Sequence, residues 1–321
     1  MSARSWRPAE LVFWLIPLAA FFLLPGYLVL GSQILIVSLF ALSLDLILGY
    51  AGIVSLGHAA FFGLGAYTAG LLAVHGWGEP LSGLLAGGAM AALVGFVVSF
   101  LVVRGEDLAR LMVTLGMGLL LFEAANRAAF ITGGVDGLSG VVMGKVLGAF
   151  AFDLGGRTAY VYSFVVLFVV FVFLKRLTGS PFGLSLRGIR ENPARMPALG
   201  APVRKRLVMA YTVGAAIAGI AGALLAQTTQ FVGLDTLGFN RSAELLIMLV
   251  LGGTGRLYGA IIGTAAFMIA QDYLSGVNPV YWQFWLGLLL VAFVFFARGG
   301  ILGVIEALGK RLQHSSQERP R

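Results

Sequence analysis

A few side chains able to do chemistry interrupt the long apolar stretches of this 321-residue sequence: Asp45, His58, Glu123, Asn126 and Glu244. A carboxylate inside a bilayer-crossing helix costs on the order of 2.5–3.5 kcal/mol at the helix centre and less near its end. Asp45 must therefore either line a pathway or hydrogen-bond the glycine turn that follows it, Gly49–Gly57. His58 sits beside that turn, where an imidazole can titrate near neutral pH or serve as a hydrogen-bonded packing residue. Glu123 and Arg127, four residues apart, fall on one helical face. Beside Asn126 they read first as a buried neutralised pair and second as a contact for a solute. Glu244 is expected to start a short helix, where an acid suits the positive end of the dipole.

Other chemistries are excluded. Two glycine-rich runs, at 133–140 and 252–259, invite a nucleotide reading, but neither continues as Gly-Lys-Ser/Thr, so the phosphate-binding lysine is missing. The sequence has 0 Cys and 3 His, so disulfides and thiolate metal sites are unavailable. No nucleophile–base–acid spacing or metal-ligand spacing occurs. The residues describe a protein that is not an enzyme, and they imply no metal and no cofactor bound by this chain.

The elements that must hold these groups follow from composition. Hydrophobic residues make up 59% of the chain and charged ones 11%, against about 25% charged in soluble domains. This is an all-α polytopic membrane protein. The 45 glycines suit helices that pack through small side chains. The net charge of +8 comes from Lys and Arg at span-flanking positions. Topology and anionic headgroups explain it better than nucleic acid does.

Apolar runs are predicted at Leu11–Leu30, Gln33–Gly49, a broken Gly-rich stretch Tyr50–Gly70 running to about Val74, Leu81–Val103, Leu111–Ile131, Tyr160–Leu174, Leu207–Gln227 and Tyr281–Ala297. Between the last two, Ala243–Leu251 and Ala260–Tyr273 form either two short tilted helices or a re-entrant hairpin. The expectation is about 8–10 crossings with both termini cytoplasmic. Residues 1–10 form the cytoplasmic N-terminus, 11–300 the transmembrane domain and 301–321 a basic cytoplasmic tail. A carboxylate followed by a glycine turn occurs at both Asp45 and Glu244, a weak internal repeat.

Residues 175–206 orient the whole. They contain Lys175, Arg176, Arg187, Arg190, Arg195, Arg204, Lys205 and Arg206 against one acid, Glu191. A short loop of this charge stays cytoplasmic. Asn192 can cap a helix, Pro193 suits its first position and Gly200 its stop, while Pro197 would kink it. A short, kinked helix over 192–200, outside the membrane, is predicted.

Five segments, in order, carry a resemblance: DLILGYAGIVSLGHAAFFGLGAYTAG, LMVTLGMGLLLFEAANRAAFITGGVDGLSG, SPFGLSLRGIRENPARMPALG, AELLIMLVLGGTGRLYGAIIG and YWQFWLGLLLVAFVFFARGGILG. Together, over roughly residues 35–305, they resemble permease subunits of ABC importers for branched-chain amino acids, the M-type partner of a heteromeric pair. The resemblance implies that Arg190, Glu191, Asn192 and Gly200 lie in a segment that docks on an ATPase. It also implies a second homologous permease subunit, two cytoplasmic ATPase subunits that bind the ATP, a soluble substrate-binding protein and a bacterial inner-membrane location. Relatives of this type carry branched-chain amino acids, urea or short amides. Ala194, where such permeases often have a Glu-Ala-Ala stretch, and Pro197 depart from the pattern. Asp45, His58 and Glu123 leave an acid-coupled secondary transporter as the alternative of a different class.

Overall fold

The computed structural model describes residues 8–296 and 299–303. The expected cytoplasmic N-terminus and basic tail fall largely outside the described residues. Among those described there is no β-strand, only two isolated bridges, Leu138–Val232 and Val146–Phe150. The all-α expectation holds.

Helices α1 (Pro8–Leu23) and α2 (Leu28–Leu44) are separated by a 3-10 turn at Pro25–Tyr27. The single first span expected over Leu11–Leu30 is thus divided, at the Pro-Gly pair where a turn is natural. From α2 the chain runs into a π-helical segment, Asp45–Tyr50, then an extended stretch, then α3 (Ala59–Val74). Next come α4 (Pro80–Val102), α5 (Asp107–Arg127) and the single turn α6 (Ala129–Thr132). After the loop, α7 (Arg157–Gly179) leads into α8 (Pro181–Glu191), which lies within the basic stretch. Then follow α9 (Val203–Thr229), α10 (Phe239–Gly252), α11 (Leu257–Val277) and α12 (Trp282–Phe296).

Among the described residues, six helical stretches are long and apolar enough to cross a membrane: Pro25–Tyr50, Pro80–Val102, Leu108–Arg127, Arg157–Gly179, Val203–Thr229 and Leu257–Val277. Glu10–Leu23, Ala59–Val74 and Trp282–Val291 are shorter apolar helices. At 14 residues α10 is about 21 Å long, short of a hydrocarbon core of about 30 Å.

From Leu35 onward helix α2 is buried on all sides; Ile36, Leu39, Phe40, Leu42 and Leu44 are wholly inaccessible. Such a helix reads as hydrophobic all round because every face meets protein. Helices α3, α4 and α9 form the tightest layer. A methyl on Gly65 would lie 2.0 Å from the carbonyl oxygen of Gly219, and one on Gly219 would lie 2.6 Å from that of Gly87. Three backbones meet there because no side chain separates them. Conversely, Leu85, Leu93 and Val97 of α4, Leu119 and Leu120 of α5 and Leu288 of α12 are exposed. Apolar surface this extensive is unusual on a soluble monomer and suits lipid or other membrane helices.

The ends are distinguished by charge. Lys175 near the end of α7 pairs with Glu10 near the start of α1 at 2.5 Å, so the first helix begins at the end of the bundle where α8 lies. We refer to this as the basic end.

Candidate functional site

Helix α8 begins one residue after Ser180, whose extended backbone and following Pro181 suit a helix start. Phe182, Leu186 and Ile189, spaced by four and three residues, are buried, while Arg187 and Arg190 are exposed. This amphipathic helix is the one that the basic loop builds. The short helix expected over 192–200 is not formed as an α-helix. Asn192 ends α8 instead of opening a helix, and its Oδ1 accepts from the backbone N–H of Arg195 at 3.0 Å. The asparagine still satisfies an N–H three residues on, but it does so in a turn. Pro197–Leu199 make one 3-10 turn, which Gly200 closes at φ +76°. Glu191 is exposed at the last helical position of α8.

The basic end of α2 is the partner of α8. Its π segment, Asp45–Tyr50, widens the helix before the chain turns. Asp45 is wholly buried, and its Oδ1 accepts a hydrogen bond from the backbone N–H of Gly255 at 2.6 Å. The turn that Asp45 bonds is therefore the distant one between α10 and α11, not the Gly49–Gly57 turn next to it in sequence. The backbone carbonyl of Gly49 accepts from Nη1 of Arg190. A methyl on Gly49 would lie 2.5 Å from the Gly255 nitrogen and 2.1 Å from Asp45 Oδ1. Gly255 itself adopts φ +78°, a conformation that favours glycine. Arg187 lies over the Tyr50 ring at 4.9 Å from the centroid, a cation–π arrangement. Two glycine turns more than 200 residues apart in the chain and the exposed helix α8 thus meet at one polar junction.

His58 occupies a separate place, at the start of α3. Its Nε2 lies 2.8 Å from Ser43 Oγ, whose hydroxyl donates to the Phe40 carbonyl at 2.5 Å. With the serine proton so placed, Oγ is left to accept from Nε2–H. The imidazole stacks on Phe40 at 6° between planes. The first N–H groups of α3 need partners from elsewhere. Ser242 Oγ accepts from Ala59 N at 2.9 Å, and Thr114 Oγ1 accepts from Leu56 N at 3.3 Å, just upstream. Ser43, Thr114 and Ser242 come from three other helices, so no local spacing in the sequence marks them.

The remaining candidates lie apart from this junction. Glu123 and Arg127 do pair, at 2.7 Å, but their side chains are 48% and 82% exposed. The buried pair expected there is an exposed one, which contributes little to stability. Asn126 beside it is half-buried. Glu244 does not start its helix, because α10 opens five residues earlier at Phe239; it pairs with Arg241 at 3.3 Å.

Residues 27–294 match the family described as branched-chain amino acid transport system / permease component. The chain is 29% identical to the high-affinity branched-chain amino acid transport system permease protein LivM of Escherichia coli, over 86% of this chain and 70% of that one. It is 30% identical to the protein of the same name from Salmonella typhimurium, again over 86% and 70%. A probable branched-chain amino acid transport permease protein LivM of Methanocaldococcus jannaschii is 26% identical over 82% of this chain and 89% of its own. No solved structure matches the chain significantly. The all-α fold, the apolar spans and a family match over most of the sequence agree: the chain belongs to the branched-chain amino acid transport permease family and is a multi-pass permease subunit of an ABC importer.

Proposed function

We propose that this subunit moves a branched-chain amino acid, or a related small organic solute, inward across the membrane, with α8 as its coupling element. The observation that carries the reading is the bond from Arg190 to the Gly49 carbonyl. It ties an exposed, basic helix to the broken, buried end of α2. A force applied to α8 by a partner reaches the Asp45–Gly255 junction through Arg190, with Arg187 on the Tyr50 ring beside it. Coupling of this kind requires contacts that differ between two states of the transporter, and Arg190 is placed to make and break one.

In this reading the basic end faces the cytoplasm, as its Lys and Arg content favours. Two ATPase subunits bind the ATP there, Arg190, Glu191, Asn192 and Gly200 lie at or beside their dock, and this chain itself carries no cofactor. A second, homologous permease covers part of the exposed apolar surface. A soluble binding protein delivers the solute at the opposite end. Names of relatives favour branched-chain amino acids over urea or short amides.

The test is purification of the tagged chain from its own membrane, followed by reconstitution and measurement of ATP hydrolysis with and without loaded binding protein. A second permease and an ATPase should co-purify, and leucine, isoleucine or valine should stimulate hydrolysis. A chain that transports alone, driven by a proton gradient, would establish the acid-coupled class instead.

A further inference from the structure

Helix α5 is covered by its own chain less than the other five candidate spans among the described residues. Across its most apolar stretch 11% is buried, against 28% to 72% in the others. It runs from the basic end, where its first turn borders the same cavity as the end of α8, to the opposite end. One side is held: Gly57 lies against the Thr114 carbonyl and the Gly118 backbone. The other side is open. At about 100° per residue, Ala109, Met112, Gly116, Leu120, Glu123 and Arg127 fall within about 40° either side of one line along the helix. All but Gly116 are exposed, and a methyl on Gly116 would meet nothing within 4 Å.

Three surroundings compete for this line. Lipid is the environment of α4 and α7, whose exposed side chains between the helix ends are apolar, as Leu85, Leu93, Val97, Val165 and Val169 are. The line on α5 differs, because it carries an ion pair inside a stretch able to span the bilayer, and ionisable groups there face protein or a water-filled cavity. A dry interface with another subunit would strip water from both ions, which costs several kcal/mol for each. A water-filled passage leaves them hydrated. The order of residues also suits one kind of solute. The carboxylate and guanidinium stand together in the last turns of α5, at the end away from α8, and deeper in the line the side chains are apolar, Leu120 and then Met112. An amino acid presents the complementary set, an ammonium beside a carboxylate and, in the branched-chain members, an aliphatic side chain. An exposed pair contributes little to stability, so a zwitterion can separate Glu123 from Arg127 at little cost.

We propose that this line of α5 is the subunit's wall of the solute passage. Glu123 receives the ammonium and Arg127 the carboxylate of an entering zwitterion, while Leu120 and Met112 meet its aliphatic side chain. This deepens the transport reading and rests on it.

The experiment uses the complete transporter in lipid vesicles, with single cysteines placed in this cysteine-free chain and labelling of this subunit followed by mass. Met112→Cys, Leu120→Cys and Glu123→Cys should react with a charged, water-soluble methanethiosulfonate at least about tenfold faster than Leu93→Cys on α4, because the thiolate that attacks the reagent forms in water and not in lipid. Saturating leucine should slow labelling at Leu120→Cys. Glu123→Gln and Arg127→Gln should assemble normally and each lower uptake from loaded binding protein by about fivefold, the size of a solvent-exposed charge contact. Stripe cysteines that react only with a lipid-soluble maleimide would make the line a lipid face and overturn the proposal. Stripe cysteines silent to both reagents would make it a dry interface with the second permease and overturn it equally. Either pattern with uptake intact sinks this proposal alone, whereas a wild-type transporter that takes up no amino acid sinks the transport reading as well.

Discussion

The carboxylate of Asp45 and the backbone N–H of Gly255 meet at 2.6 Å across 210 residues of sequence, the carboxylate wholly buried and the glycine half-buried. Truncating Asp45 to Ala leaves the half-buried Gly255 N–H without this partner. Leaving a donor without its partner costs about 1–3 kcal/mol, so Asp45→Ala should lower the thermal midpoint of the solubilised complex measurably. Asp45→Asn keeps an acceptor and should lose roughly half as much. An alanine variant as stable as the asparagine one would mean that the bond contributes nothing.

Gly49 should tolerate no side chain. Its added methyl would collide with the Gly255 backbone and with Asp45, and overpacking of this kind costs about 1–3 kcal/mol. Gly116 on α5 is the control, since a methyl there meets nothing within 4 Å. Gly116→Ala should be neutral or stabilising by up to about 1 kcal/mol through helix propensity. Chromatographic monodispersity after heating compares the two directly.

Arg190→Ala combined with Glu191→Ala should insert and assemble normally, because seven other Lys and Arg remain in residues 175–206. Hydrolysis by the reconstituted complex should no longer respond to loaded binding protein. Arg190→Lys should be intermediate, since a point charge reaches the Gly49 carbonyl without the fork of the guanidinium. Full stimulation in the double variant would reduce α8 to a topological anchor.

Glu79 caps α4, accepting from Leu81 N at 3.3 Å and Ser82 N at 2.5 Å. The Ser82 side chain, and then its backbone N–H, hold this carboxyl below the usual carboxylate range. A lowered folded value means stabilisation that is complete above the ordinary value of 4.5 and fades as pH falls through the folded one. Glu79→Ala should cost about 0.5–1 kcal/mol at neutral pH. The gap between variant and wild type should close as the melting buffer is acidified. A gap that stays constant with pH would show that the charge is not responsible.

Much of the architecture could be read from apolar runs alone. α4 falls within one residue of its expected span at each end, and α7 and α9 extend theirs by a few residues, because a long uninterrupted run leaves the chain no other way to satisfy its backbone in lipid. Local capping signals were less decisive. Asn192-Pro193 and Ser180-Pro181 both look like helix starts; the second prevails because Phe182, Leu186 and Ile189 provide a face to bury, whereas Pro197 interrupts the other. The Glu123–Arg127 pairing was legible from its spacing, but its exposure was not, since burial depends on which neighbour covers the helix. The Asp45–Gly255 bond and the Ser43, Thr114 and Ser242 contacts join distant segments. Nothing within one helix period announces them.

The π segment at Asp45–Tyr50 has a geometric implication of its own. Its wide turn accommodates a residue that an α-helix of the same rise would lack. Each residue of an α-helix advances the azimuth by about 100°, so deleting one position here would restore regular winding and swing the flanking residues out of phase. Asp45 and Gly49 would then no longer address Gly255 and Arg190 at the same time. The surplus residue acts as an angular spacer, and chain length between Asp45 and Tyr50 is as strictly constrained as the identity of the residues themselves.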